Sequence, residues 1–73
     1  MDLRQLLGQN VKRFRTRLGI SQEELAFRSG LHRTYVSGVE RGIRNPTVVI
    51  VARLAKALEV EPPVLIQAKF KNR

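Results

Sequence analysis

The stretch SQEELAFRSGLHRTYVSGVERG, residues 21–42, limits the folds open to this chain more than any other segment. Ser21 and Glu24 stand at the S-x-x-E spacing of a capping box, in which each side chain satisfies an orphan N–H at a helix start. Ile20, immediately before the cap, is placed to staple the entry. Ala26 is small enough for two helices to cross closely, and Gly30 can take the positive φ that turns the chain sharply. Val36 then returns to the same core. The segment predicts one short helix over about residues 22–29 and a second over about 33–41, with His32 at or next to its N-cap and Gly42 past its end.

Upstream, Leu3, Leu7, Val11, Phe14 and Leu18 recur at helical spacing, and Leu6 widens the stripe. Asp2 is the expected N-cap of this first helix, and Gly19 is expected to end it. Downstream, Asn45-Pro46 disfavours helix and Thr47 is set to cap a fourth helix over about 48–58. Its Val48, Val51, Leu54, Ala55 and Leu58 are expected to face inward. Pro62-Pro63 suits the first turn of a short fifth helix reaching about Ala68, followed by a basic tail at residues 69–73. No strand pattern, internal repeat or low-complexity segment competes. The expected class is all-α, and 73 residues make one domain spanning 1–73.

The chain carries 14 Lys+Arg against 6 Asp+Glu, a net charge of +8 and a pI near 11.4. Such a balance expects a polyanion, most often nucleic acid and less often an anionic membrane surface. At about 100° per residue, Arg33, Thr34, Ser37, Gly38 and Arg41 share one half of the second short helix, and Tyr35, Val36, Val39 and Glu40 share the other. Buried aliphatics behind short polar and cationic groups suit a helix lying in a major groove. Residues 21–42 therefore read as a helix-turn-helix. The planar fork of Arg33 matches O6 and N7 of guanine, Thr34 offers a hydroxyl and a methyl, and Ser37 can bond a base or a phosphate. Gly38 is read as letting the helix approach the base edges closely.

His32 is read as a further base contact, with plain helix capping as its rival role; no second His, Cys or paired acid points to a metal. Phosphate contacts are expected from Gln22 and the free N–H groups at the start of its helix, and from the Tyr35 hydroxyl. Arg41, Arg44 and Asn45, past the far end of the reading helix, can hold the backbone or reach into the minor groove. Lys12, Arg13 and Arg17 read equally well as solvated charge. Arg15 and Glu40 read as a structural pair tying the first helix to the third.

The pieces LGQNVKRFRTRLGISQEELA, SGLHRTYVSGVERGIRNPT and LAKALEV together resemble the Xre/Cro-type helix-turn-helix family of bacterial and phage repressors, over about Leu6 to Ile66. The resemblance implies a compact five-helix, lambda-repressor-like domain that binds pseudo-palindromic operators as a two-fold dimer. It implies Gln22 on phosphate, Arg33, Thr34 and Ser37 towards bases, and the Arg15–Glu40 pair. Within the family, LAFRSGLHRTYVSGVERGIRN is similar to the controller proteins of restriction–modification systems, small dimers that both activate and repress transcription. Two features depart from the pattern. Glu59 stands where the family usually has glycine, so the end of the fourth helix is expected to differ in shape. Val49 and Ile50 replace residues that are commonly polar. With Val64, Leu65 and Ile66 they exceed what one small core needs, which predicts a C2 homodimer through the fourth and fifth helices.

The leading functional expectation is a homodimeric, sequence-specific regulator that represses by occluding a promoter or activates by touching RNA polymerase. The alternative is an antitoxin that covers a toxin partner and autoregulates, using the apolar surface of helices four and five and the tail KFKNR. A non-specific nucleic-acid or membrane-surface protein would spread its charge evenly, against the short polar face at Arg33–Ser37. Catalysis lacks a constellation: there is one histidine, no cysteine, and the serines hold cap or face positions. No cofactor is expected. MDLRQLLGQN carries an acid at position 2 and no long apolar core, unlike a signal peptide. The apolar run Val48 to Leu58 is broken by Arg53 and Lys56 and is too short to span a bilayer. A cytoplasmic protein with no membrane partner is expected.

Overall fold

A computed structural model of the chain describes residues 2–68; the tail at 69–73 lies outside the described residues. It contains four α-helices, α1 (Leu3–Leu18), α2 (Gln22–Ser29), α3 (Arg33–Glu40) and α4 (Val48–Leu58), and a five-residue 3₁₀ segment, Pro62–Ile66. The class is all-α among the described residues, but the fifth helix is not an α-helix and ends two residues short of Ala68. Two prolines remove the first N–H donors, and the segment is closed at its two ends by the tight bonds Val64 N–H to Glu61 and Gln67 N–H to Val64. The segment is then held from outside. The buried Asn10 side chain donates to the carbonyls of Leu65 (2.8 Å) and Gln67 (3.0 Å). Those carbonyls face α1 rather than another helical turn.

Each α-helix starts on a side chain or position with extended backbone. Asp2, Ser21 and Thr47 accept the N–H of Arg4, Glu24 and Ile50 respectively. The Arg4 guanidinium, bonded to the same carboxylate at 2.9 Å, and then the Arg4 N–H lower the Asp2 pKa from its ordinary value. Only half of the expected capping box forms, because the Glu24 carboxylate turns outward to Arg28 at 2.8 Å. Gly19 and Gly30 end α1 and α2 in the left-handed conformation, both at φ 73°. Glu59 ends α4 at φ 64° and ψ 38°, so the departure from glycine changes the residue but not the shape of the turn.

The core gathers Leu7, Val11 and Phe14 of α1, Leu25 and Ala26 of α2, Val36 and Val39 of α3, Leu54, Ala55, Ala57 and Leu58 of α4, and Leu65. The ends of the apolar stripes fall outside it. Leu3 is 65% exposed and Val48, expected to face inward, is 85% exposed. Both sit on the first turn of their helix, beyond the neighbouring elements that bury the later turns. The α1–α3 crossing is close at Gly8, where a Cβ would meet the backbone oxygens of Val39 and Glu40.

Candidate nucleic-acid interface

The turn between α2 and α3 is fixed at three levels. Gly30 and Leu31 donate to Phe27 and Ala26, closing the end of α2. Val36 and Ala26 are both buried in one core. Finally, Arg53 of α4 donates from Nε to the Ser29 carbonyl (3.0 Å) and from its terminal nitrogen to the Gly30 carbonyl (2.8 Å). A cation on the last carbonyls of a helix is favourable for both hydrogen bonding and dipole. Sequence reasoning missed Arg53, which registered only as a break in an apolar run; nothing in one sequence joins it to a turn 23 residues earlier.

A half-buried polar knot sets α3 against α1 and α2. Arg15 grips Glu40 with two bonds, Nε to Oε2 at 2.6 Å and a terminal nitrogen to Oε1 at 3.0 Å, and donates also to the Ile20 carbonyl at 2.9 Å. The Glu40 hydrogen bond raises the Arg15 pKa above its ordinary value, against the opposing cost of burial. Side-chain exposures of 15% and 4% make this a sheltered, bidentate pair rather than a surface contact. Gln22 joins it by donating Nε2 to Glu40 Oε1 at 3.0 Å. That bond uses one amide hydrogen and orients the other, together with the amide oxygen, at the start of α2.

On the far side of α3, Arg33 and Thr34 are exposed, Ser37 is half-buried and Arg41 is exposed at the helix end. His32 occupies the N-cap position, but its side chain makes no cap bond and stays exposed. Tyr35 is half-buried, with the Arg44 guanidinium 5.2 Å from its ring centroid. Arg44 and Asn45 are exposed beyond Gly42. The structure thus brings Arg33, Thr34 and Ser37 onto one surface, with Gln22 at the start of α2 and Arg44 alongside Tyr35. Among the described residues Arg33, Arg41 and Arg44 have no acidic partner. Gly38 differs from its expected role: it is buried, and the Arg44 side chain lies across it. Arg13 and Arg17 sit over the Phe14 ring at 4.7 and 5.2 Å.

The residues expected at a dimer face divide. Val49 (66% exposed) and Ile66 (50%) are open, Ile50 and Val64 are half-buried, and Leu65 is fully buried. Leu65 is therefore a core residue and not an interface one: the Asn10 bonds pull its backbone onto α1 and its side chain inward. Val48 and Leu3, assigned to the core from periodicity, instead line an apolar groove of about 500 Å³ with Pro62, Pro63 and Ile66.

A helix-turn-helix family model matches residues 11–65. The chain belongs to this family. It is 47% identical over 66 residues to the uncharacterized HTH-type transcriptional regulator y4dJ of Sinorhizobium fredii, covering 90% of this chain and 86% of the relative. The restriction–modification controller protein C.AhdI from Aeromonas hydrophila is similar in structure, with a TM-score of 0.82 and 52% identity over 85% of this chain and 94% of that one. So is the controller protein C.Esp1396I, crystallised as a tetramer on its natural 35 base-pair operator, with a TM-score of 0.81 and 38% identity over 89% and 86% of the two chains. Among the described residues, no helix is long and apolar enough to cross a membrane, and no group of three or more His, Cys, Asp or Glu could hold a metal ion.

Proposed function

We propose that this protein is a sequence-specific, DNA-binding transcriptional regulator of the restriction–modification controller type, acting as a homodimer on a pseudo-palindromic operator. The observation that carries the reading is the surface of α3. Arg33, Thr34 and Ser37 share one outward face, flanked by an oriented Gln22 and a stacked Arg44, on a chain of net charge +8. In this reading α3 lies in the major groove with Arg33 bidentate to guanine, Thr34 and Ser37 on neighbouring base edges, and His32 at the entering end. Gln22, Tyr35, Arg41, Arg44 and Asn45 hold the backbone on either side, which fixes register but carries no base code. The operator complex of C.Esp1396I supports the choice of duplex DNA as ligand, at 38% identity.

Dimerisation is part of the proposal. Val48, Val49 and Ile66 are open apolar groups of the α4 and 3₁₀ region, and covering them with a second copy would remove apolar surface from water. Two-fold symmetry would set the paired α3 helices about 34 Å apart, one DNA turn. The test is selection of bound duplexes from a random pool, followed by titration of the selected site. Arg33→Ala is expected to cost about 1–3 kcal/mol and to relax preference at one base pair per half-site. Unchanged affinity and preference in that variant would remove α3 from the reading surface.

A further inference from the structure

Gly38 lies in the middle of α3, on the half of the helix that carries Arg33, Thr34 and Ser37, yet it is buried. What covers it is Arg44. A Cβ placed on Gly38 would stand 2.8 Å from Arg44 Cγ and 3.0 Å from Arg44 Nε, closer than such atoms pack. The backbone brings the arginine there. Gly42 takes φ 78°, the chain reverses, and the Ile43 N–H donates to the Gly38 carbonyl at 3.0 Å. Residues 43 and 44 therefore run back beside the helix they have just left. The Arg44 stem crosses the notch at Gly38 and its guanidinium ends 5.2 Å from the Tyr35 ring centroid.

We infer that Gly38 is a positioning residue for DNA binding: its missing side chain is the seat that, with the Tyr35 ring, holds the Arg44 guanidinium in place before DNA arrives. An arginine has many rotamers, and freezing it at the moment of binding opposes affinity; a side chain already seated loses less. The seat also sets where the charge points relative to Arg33 and Thr34, so it couples backbone contact to the register of base reading. The inference rests on the reading of Arg44 as a DNA contact. It replaces the simpler idea that Gly38 exists to let α3 approach the bases.

The two roles separate in a double-mutant cycle on the full chain with the selected operator duplex. Ala is the better helix former and the obstacle is an arginine stem that must turn about χ1 rather than backbone, so Gly38→Ala is expected to leave the melting temperature close to that of the parent. Seating predicts about a tenfold affinity loss for Gly38→Ala in the wild-type background and no further loss when it is added to Arg44→Ala. The same loss in both backgrounds would place Gly38 against the DNA and overturn the inference, as would no loss in either. A control in the free protein does not depend on the DNA reading: Gly38→Ala should shift the NMR signals of the Arg44 Nε–H and the Tyr35 ring. If those signals move while Arg44→Ala leaves binding unchanged, the seat stands and the assignment of Arg44 to DNA fails. Unmoved signals overturn the seat itself.

Discussion

Glu59 holds a backbone conformation, φ 64° and ψ 38°, that Gly19, Gly30 and Gly42 occupy at φ 73–78°. Its N–H donates to the Lys56 carbonyl and the Val60 N–H to the Ala55 carbonyl, the closing bonds that a glycine cap would make. A side chain in that region costs about 1–2 kcal/mol, whereas glycine there adds some entropy to the unfolded chain. The steric term is the larger. Glu59→Gly is therefore expected to stabilise the fold by about 0.5–1 kcal/mol, seen as a rise of several degrees in the melting temperature. A fall in melting temperature would mean that the glutamate side chain holds the end of α4 in some way its 3.1 Å backbone closure does not reveal. The residue scale also shows what one atom of length decides: Glu40 reaches both Arg15 and Gln22, so one carboxylate sets a helix crossing and the aim of an amide at the α2 start.

At the scale of elements, α1 crosses α3 where Gly8 removes a side chain. A Cβ there would meet the carbonyl oxygens of Val39 and Glu40, the latter at 2.8 Å, and both belong to backbone near the end of α3. Ala would gain up to about 1 kcal/mol of helix propensity over Gly, but overpacking against atoms that cannot swing aside typically costs about 1–3 kcal/mol. The second effect wins, in contrast to Gly38, whose obstacle is an arginine. Gly8→Ala is expected to lower stability in a urea or thermal melt, and to weaken operator binding because α3 is displaced. A variant as stable as the parent would show that the crossing has slack. The helix boundaries of α1, α2 and α4 were legible within a residue because caps and left-handed glycines are local chemistry. The fifth element was not, since the bonds that divert it come from Asn10, 55 residues earlier.

For the whole molecule the proposed dimer turns on the apolar surface that α4 and the 3₁₀ segment leave open. The groove of about 500 Å³ between the starts of α1 and α4 and the 3₁₀ segment is lined mainly by apolar groups, with Val49 and Ile66 exposed on the same region of chain. A charge placed in an apolar interface must be desolvated without a partner, so Val49→Asp is expected to dissociate the proposed dimer while leaving the monomer core intact. Its position is 66% exposed in the single chain, so the fold has little to lose. Sedimentation should then report a monomer with unchanged circular dichroism. Affinity for a duplex with two half-sites should fall by about 10²-fold or more, and affinity for one isolated half-site should stay the same. A Val49→Asp protein that still sediments as a dimer would move the interface elsewhere.

The amino-acid sequence by itself determined where the helices start and stop, which half of α3 carries Arg33, Thr34 and Ser37, and the family of the fold. These are properties of neighbours in the chain: a cap bonds three residues away, a helix repeats in fewer than four, and a turn glycine acts on its own φ. Tertiary structure decided the rest. It turned Leu65 inward and Val48 outward, set Arg53 on the end of α2, and laid Arg44 across Gly38. The Leu65 and Arg53 placements depend on which distant backbone arrives within about 3 Å, a distance set by how the helices cross and not by any spacing along the chain.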